Sequence, residues 1–313
     1  MNAEKRLARR CACARTIVAT SYQQGMGNLQ GVEDRLAAAL RDVLAKPGSL
    51  TRALVAYLMG IEMGVAEETA RGLACGIEYL HTASLLFDDL PAMDDARVRR
   101  GMPCLHVAHG EAVTMLAALA LINRGYSLLW QAVAKSHNKE RRDAASKLVE
   151  ECLGTAGLVG GQAYDLRGWR DGQTAGEVME VARRKTATLL RLPLVLPAII
   201  GHGSKREIQL LERLGLMRGL TYQAVDDLKD VMLSEATSGK SAGRDELMGR
   251  PNIVVAEGFQ AALQRLRKML RIGDQVQENL PGNPERWGML SLIRVTLPMT
   301  AKVVTSNAIN SAC

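Results

Sequence analysis

Residues 78–101 read EYLHTASLLFDDLPAMDDARVRRG. The second part, DDLPAMDDARVRRG, sets four aspartates and three arginines within fourteen residues. The apolar part before it has helical spacing, so a buried helix runs into a cluster of acids. A helix C-terminus already carries partial negative charge, and acids there are electrostatically unfavourable. The arrangement makes sense if a cation joins them. Pro91 cannot continue the helix and pushes Leu90 out of the α region, so the chain is expected to turn after Asp89. That turn can bring Asp94 or Asp95 back towards Asp88.

A second acidic cluster lies in YQAVDDLKD, with Asp226, Asp227 and Asp230. On a helix, positions four apart lie about 40° apart around the axis, so Asp226 and Asp230 point the same way. Two carboxylates on one helix face repel unless a cation bridges them. With no nearby His or Cys, such groups suit a hard cation such as Mg²⁺, which keeps several waters and binds one or two carboxylates plus substrate phosphates. Arg99, Arg100, Lys185 and Lys240 complete a chemistry for holding a diphosphate through metals and bases together.

Around these clusters the chain reads as helix after helix. Apolar residues at three- and four-residue spacing predict helices over 3–23, 31–45, 51–64, 66–90, 109–135, 139–160, 174–200 (interrupted), 204–234, 255–279 and 285–309. The breaks carry ordinary punctuation such as KPGS, RGMP, GHGS and NLPGNP. Ser204 and Asn138 suit N-caps. No alternating strand pattern and no composition shift is visible. One all-α domain spanning 1–313 is expected, with 1–30 as a basic N-terminal helix or arm.

Composition narrows the function. Hydrophobic residues make up 47% of the 313, enough for a large core, and aromatics only 4%, so that core is aliphatic. The net charge of +7 has no zinc finger, RNA-binding aromatic motif or like-charge run beside it, so a nucleic-acid partner is not expected. The six cysteines are scattered, and a reduced, cytoplasmic setting is expected. No apolar run reaches about 18 residues, so no transmembrane helix is expected. Arg6, Arg9, Arg10 and Arg15 give the N-terminus a faint transit-peptide character, but a basic first helix explains it more simply.

The motifs together resemble those of the trans-isoprenyl diphosphate synthases, the polyprenyl synthetase family. The first aspartate-rich motif, DDxxxxD followed by two arginines, matches Asp88, Asp89, Asp94, Arg99 and Arg100. The second, DDxxD, matches Asp226, Asp227 and Asp230. HTASLLFDD, GGQAYDL, RKT ending at Thr186, YQAVDD and SGKSAGRD follow in family order over roughly 45–255. The wording from Asp88 to Glu111 is especially similar to bacterial geranylgeranyl diphosphate synthases. The resemblance implies an all-α isoprenoid synthase fold, a bundle of ten or more helices around a central cavity. It implies condensation of isopentenyl diphosphate with an allylic diphosphate, and a homodimer. It implies three Mg²⁺, replaceable by Mn²⁺, on Asp88, Asp94, Asp226 and Asp230, with Asp89 and Asp227 supporting. Arg99, Lys185 and Lys240 would grip the allylic diphosphate. Thr186 and Gln223 would place oxygen dipoles near the developing cation. Arg52, His81 and Arg100, with position 49, would hold isopentenyl diphosphate.

The chain departs from the family at that last site, where GSLTR carries Ser49 in place of the lysine of GKxxR. Arg244 and Arg250 also stand where lysines are common. Losing the lysine is expected to weaken isopentenyl diphosphate binding, since a charge-assisted bond contributes roughly 1.5–3 kcal/mol. Two alternatives follow: a terpene synthase on the same fold, or a non-catalytic subunit of a heteromeric synthase. Gln162 is assigned no chemistry, the glycines beside it being read as close packing. Ala83 and Ser84, small residues about a turn before Asp88, would leave room for a growing chain, with Met115 or Leu116 as a deeper wall. The expected product is geranylgeranyl diphosphate.

Overall fold

In the computed structural model the described residues are 3–136, 138–170, 172–236 and 249–295. Lys240 and Arg244 lie outside them. The helices are α1 (Ala3–Gln24), α2 (Asp34–Ala45), α3 (Thr51–Glu62), α4 (Glu67–Asp88), α5 (Leu105–His109), α6 (Glu111–Ala134), α7 (Lys139–Leu153), α8 (Leu158–Leu166), α9 (Ala175–Ala182), α10 (Thr188–Ile200), α11 (Lys205–Ala236), α12 (Ile253–Glu257) and α13 (Phe259–Glu278). A π-helical turn, Arg183–Ala187, joins α9 to α10, and a 3₁₀ segment covers Pro284–Ile293. The all-α expectation holds.

Several boundaries differ from the sequence reading. The 139–160 segment is two helices, because GTAG breaks it; a side chain at Gly157 would strike the carbonyls of Glu151 and Cys152. The 255–279 segment starts as the short α12 and resumes as α13 at Gly258, which adopts a φ of 83° that L side chains rarely take. The interruption near 183 is a π turn, a geometry that periodicity does not register. Of the 285–309 segment, residues 296–309 lie outside the described residues. A two-residue hairpin also forms, β1 (Val98–Arg99) against β2 (Met102–Pro103), with Val98 opposite Pro103 and Arg99 opposite Met102. Its turn residues Arg100 and Gly101 both have positive φ, the conformation that matches strand twist in tight hairpins.

The chain divides into two compact units. The first holds residues 1–150, 192–212 and 280–292. Its centre is the packing of α4 on α6, where Gly76 and Gly125 bring the backbones together. A Cβ on Gly76 would meet the Gly125 carbonyl at 2.9 Å. The basic N-terminal segment is the helix α1, fastened by Arg10 to Glu62 (2.6 Å) and by Tyr79 Oη donating to the Tyr22 carbonyl (2.6 Å). Arg141 donates to the carbonyls of Ala198, Ile199, Gly201 and Gly203, satisfying the open end of α10. Ser204 caps α11 reciprocally with Glu207, and Asn138 accepts from the Arg141 amide, as both N-caps were expected to do.

The second unit holds 151–191, 213–279 and 293–313. Its core gathers Val178, Val225, Leu228, Ile253 and Leu266. Arg218, 1% exposed, is buried there and donates to Asp274 and Gln277.

Two findings bear on environment. The described cysteines, Cys11, Cys13, Cys75, Cys104 and Cys152, are all free. Among the described residues α6 is long and apolar enough to span a membrane by length and composition, despite Asn123 and Arg124, and 33% of that window is buried in the protein.

Candidate active site

The first unit carries the first aspartate-rich motif at the end of α4. After Asp88 the chain turns back as Pro91 dictates. The Asp94 amide donates to the Asp88 carbonyl at 2.9 Å, and the Asp95 and Ala96 amides donate to the carbonyls of Leu90 and Asp89. The loop thereby closes the open helix end and returns Asp94 towards Asp88. Asp95 takes a positive φ of 44° in doing so. Asp88 and Asp89 then differ sharply. Asp89 is 3% exposed and receives a two-pronged contact from Arg99, Nε at 2.8 and 2.9 Å and Nη2 at 2.6 Å. Hydrogen bonding to Asp89 raises the Arg99 pKa further above its ordinary value. Asp88 is only partly buried. Arg99, expected on the allylic diphosphate, is thus seated on Asp89 by the hairpin.

Next to this helix end lies a basic cluster. Arg52 of α3 sets Nη1 3.1 Å from His81 Nε2. Burial first, then the charges of Arg52, Arg100 and Arg99, hold His81 well below its ordinary pKa, so its ring is neutral and Nε2 accepts. Its Nδ1 is buried without a hydrogen-bond partner. Glu78, buried one turn earlier on α4, accepts from the Ala53 amide; burial pushes its carboxyl up against the pull of Arg52. Arg100 lies across Gly48, where any side chain would collide with its guanidinium. A cavity of about 340 Å³ opens among these residues, lined by Lys46, Gly48, His81, Arg99, Arg100 and the hairpin. Ser49 offers no charge here. Its hydroxyl accepts from Thr51, and its carbonyl accepts from Arg15 at 2.9 Å.

The second unit carries the second motif in the middle of α11, and the same division recurs. Asp227 is 1% exposed; its Oδ1 accepts from Gln223 Nε2 at 2.8 Å and its Oδ2 from the Ile253 amide at 2.9 Å. Thr186 Oγ1 donates to Gln223 Oε1 at 2.7 Å, so Thr186, Gln223 and Asp227 form one chain of hydrogen bonds. Asp226 faces outward. Desolvation by surrounding protein, and then repulsion from Asp230, raise its carboxyl above the ordinary range against the pull of Lys229. Asp226 is nonetheless exposed to solvent.

Lys185 and Thr186 sit on the π turn. Lys185 Nζ donates to Asp165 Oδ2 at 2.5 Å, and Arg250 donates to the Asp165 carbonyl at 3.1 Å. Gly161 lets α8 approach that turn, since a Cβ there would stand 2.3 Å from the Lys185 amide. Its place in GGQ is therefore a packing requirement. Sequence reasoning missed Asp165, twenty residues from its partner, and Asn252, whose side chain caps α12 and reaches the Asp227 carbonyl at 3.4 Å. Asp165 was visible in GGQAYDL, but nothing in the spacing tied it to Lys185. Ala83 is completely buried, and Ser84 donates to the His81 carbonyl. Met115 and Leu116 lie on a solvent-facing side of α6, 41% and 52% exposed.

Among the described residues no three His, Cys, Asp or Glu side chains form a ready-made metal cage. The outward acids are nonetheless fitted to a cation. Asp226 and Asp230 share a helix face, one of them is raised by the other's charge, and neither has a sulfur or imidazole donor beside it. Such an open carboxylate set suits Mg²⁺, which completes its shell with water and substrate oxygens.

Comparison with known proteins agrees with this chemistry. The family model described as polyprenyl synthetase matches residues 33–280. A geranylgeranyl diphosphate synthase of Pantoea ananas is 32% identical over 249 residues, 79% of this chain and 80% of that protein. The chloroplastic geranylgeranyl pyrophosphate synthase 12 of Arabidopsis thaliana is 36% identical over 74% of this chain and 66% of its own length. The fold is shared with an FPP/GFPP synthase of Zymomonas mobilis, with TM-score 0.77 and 21% identity over 92% of this chain and 98% of the other. It is also shared with a geranyltransferase of Helicobacter pylori complexed with magnesium and isoprenyl diphosphate, with TM-score 0.75 and 24% identity over 91% and 95%. The fold and the paired aspartate motifs define an isoprenoid synthase. The chain belongs to the polyprenyl synthetase family.

Proposed function

We propose that this chain is a Mg²⁺-dependent isoprenyl diphosphate synthase that condenses isopentenyl diphosphate with an allylic diphosphate, with geranylgeranyl diphosphate as its product. The observation that carries the reading is the repeated division of each aspartate pair into an inward acid buried on protein donors and a neighbour one position earlier that keeps contact with solvent. Asp88 and Asp94 would hold metal at the first motif and Asp226 and Asp230 at the second, three ions in all, with Mn²⁺ as a substitute. Bound metal supplies charge neutralisation for a departing diphosphate. The protein's own residues do the rest. Asp89 and Asp227 brace the outward acids from behind. Lys185 and Lys240 grip the allylic diphosphate, and Arg99 contributes from its seat on Asp89. Thr186 and Gln223 turn oxygen dipoles towards the positive charge that develops on the allyl group. Arg52, His81 and Arg100 hold isopentenyl diphosphate so that its alkene can attack. The family match over 33–280 supports taking 1–313 as one catalytic domain.

The terpene-synthase alternative rested on Ser49 and the regulatory-subunit alternative runs against the intact aspartates of both motifs; the curated relatives favour neither. The chain works as a cytoplasmic homodimer. Met115, Leu116, Leu119 and Trp130 leave a run of large apolar residues on α6 in solvent, and a second copy is the simplest cover for it. That cover would also close the exposed Met115 into a wall for the product. Light scattering should give twice the chain mass.

Purified protein with Mg²⁺, labelled isopentenyl diphosphate and each allylic diphosphate in turn tests the activity. Extended diphosphates are expected, and EDTA should abolish them. Hydrocarbon products, no turnover, or turnover indifferent to EDTA would each overturn the reading. Replacing Ala83 by Tyr, with Ser84→Tyr as the less buried companion, should shorten the main product towards farnesyl diphosphate. Product chromatography reads the change, and an unaltered product from both variants would remove these positions from chain-length control.

A further inference from the structure

We propose that Lys46 is a diphosphate-gripping base of the cavity in the first unit, and that Asp42 is its holding place. The inference rests on reading that cavity as the isopentenyl diphosphate subsite.

The argument begins with charge. The cavity is lined by three ordinary cations, Lys46, Arg99 and Arg100. Arg99 is taken up by Asp89 in a two-pronged contact. His81 is neutral and faces Arg52. Ser49 does not line the cavity, and its carbonyl is engaged by Arg15. A diphosphate entering here would meet Arg100 across Gly48 and, three residues before Ser49 on the same loop, the ammonium of Lys46.

Lys46 is built to change partners. Its amide caps α2 by donating to the Val43 carbonyl at 3.2 Å, which fixes its backbone. Its ammonium pairs with Asp42, one turn back on α2, and the two side chains are 49% and 29% exposed. An exposed pair of this kind is weakly held, and a lysine on its flexible stem re-aims readily. A diphosphate presents more negative charge than one carboxylate and can draw the ammonium off. Asp42 is not then abandoned, because His109 Nε2 of α5 lies 3.3 Å from its other oxygen. The loop thus offers from position 46 the positive charge that position 49 lacks.

Calorimetric titration of isopentenyl diphosphate into the full-length protein in EDTA, together with steady-state kinetics at saturating allylic substrate, tests the assignment. Lys46→Ala and Lys46→Met should each weaken isopentenyl diphosphate by about tenfold in Kd and KM, the worth of one charge-assisted contact, and leave the allylic KM unchanged. Lys46→Arg should restore most of the loss. Asp42→Asn releases the ammonium and should tighten binding, opposite in sign to Lys46→Ala. A merely structural ion pair would give both variants the same sign, and that result overturns the proposal. So does a Lys46→Ala Kd within twofold of the parent, or an Arg15→Ala variant carrying the loss instead. Because the titration needs no turnover, an inactive parent protein would sink the functional reading while the opposite signs of Lys46→Ala and Asp42→Asn still decide the role of Lys46.

Discussion

The end of α4 and the middle of α11 present the same two-aspartate problem and solve it differently. At α4 the inward acid, Asp89, is met by a charged side chain, Arg99, which is itself 37% exposed and is delivered by a hairpin. At α11 the inward acid, Asp227, is itself buried and accepts from a half-buried glutamine amide and from a buried backbone amide. The first solution leaves a half-exposed cation paired to the acid near the surface. The second ties the acid to Thr186 on the π turn and to the start of α12, so that it organises its surroundings. In both, the neighbouring acid one position earlier is turned away, because adjacent helix positions point about 100° apart.

The largest expected effect is the one the two motifs share. Asp88→Ala and Asp226→Ala should each lower kcat by about a thousandfold or more while leaving the circular dichroism spectrum unchanged, since each removes an anion from a site that stabilises transition-state charge. If either variant turns over normally, the outward acids are not equivalent and the parallel between the motifs fails.

The inward acids should separate by stability. Asp227→Ala leaves the Gln223 amide and the Ile253 N–H buried without their acceptor, at a cost of about 3 kcal/mol. Asp89→Ala leaves Arg99, which can turn to water, so the cost should be nearer 1 kcal/mol. Urea melts of the two variants measure the difference directly. Equal losses would mean that the fold depends on the Arg99 contact as heavily as on the α11 network, and that Arg99 is not available to a ligand.

How much of this was legible in the sequence follows from the same comparison. The acids and their spacing were visible, as were the turn forced by Pro91, the caps at Ser204 and Asn138, and the long helical periods. The resemblance gave Asp89 and Asp227 a supporting role, but the spacing alone did not say which acid of each pair turns inward. Gln223 lies four residues before Asp227, but the other partners lie ten residues away at Arg99 and twenty-six away at Ile253, beyond any local rule. The hairpin that positions Arg99 is two residues per strand, too short to display alternation. The π turn under Lys185 differs from an α-helix by one residue in register, which a period of 3.6 does not resolve. The apolar spacing of α6 was genuine, but periodicity cannot tell a face packed on α4 from one left for another molecule. Met115 and Leu116, read as wall or core, accordingly lie in solvent.

The smallest effect concerns the cost of keeping the outward acids charged. Asp226 lies one turn from Asp230 on the same face, and its carboxyl is raised above the ordinary range by desolvation and by that neighbour. An acid with a raised folded-state pKa is protonated more readily when folded than when unfolded, so it favours the unfolded state once pH exceeds its ordinary value. The penalty is absent in acid, grows as pH rises from the ordinary carboxylate range towards the raised value, and is fully present at neutral pH. Asp226→Asn should therefore stabilise the protein in EDTA at pH 7, by on the order of 0.3 kcal/mol for relief of one like-charge pair, and should have no effect well below pH 4. Magnesium should invert the order, raising the melting temperature of the parent protein more than that of the variant, because the variant has lost one of the anions that the ions join. At α4 the corresponding penalty comes from the helix end instead, so Asp88→Asn should show the same gain in EDTA with a greater sensitivity to salt, the helix end being more open to screening. A variant that loses stability in EDTA at neutral pH would show that Asp226 is held by favourable contacts, and that its outward position is not a strained, cation-seeking one.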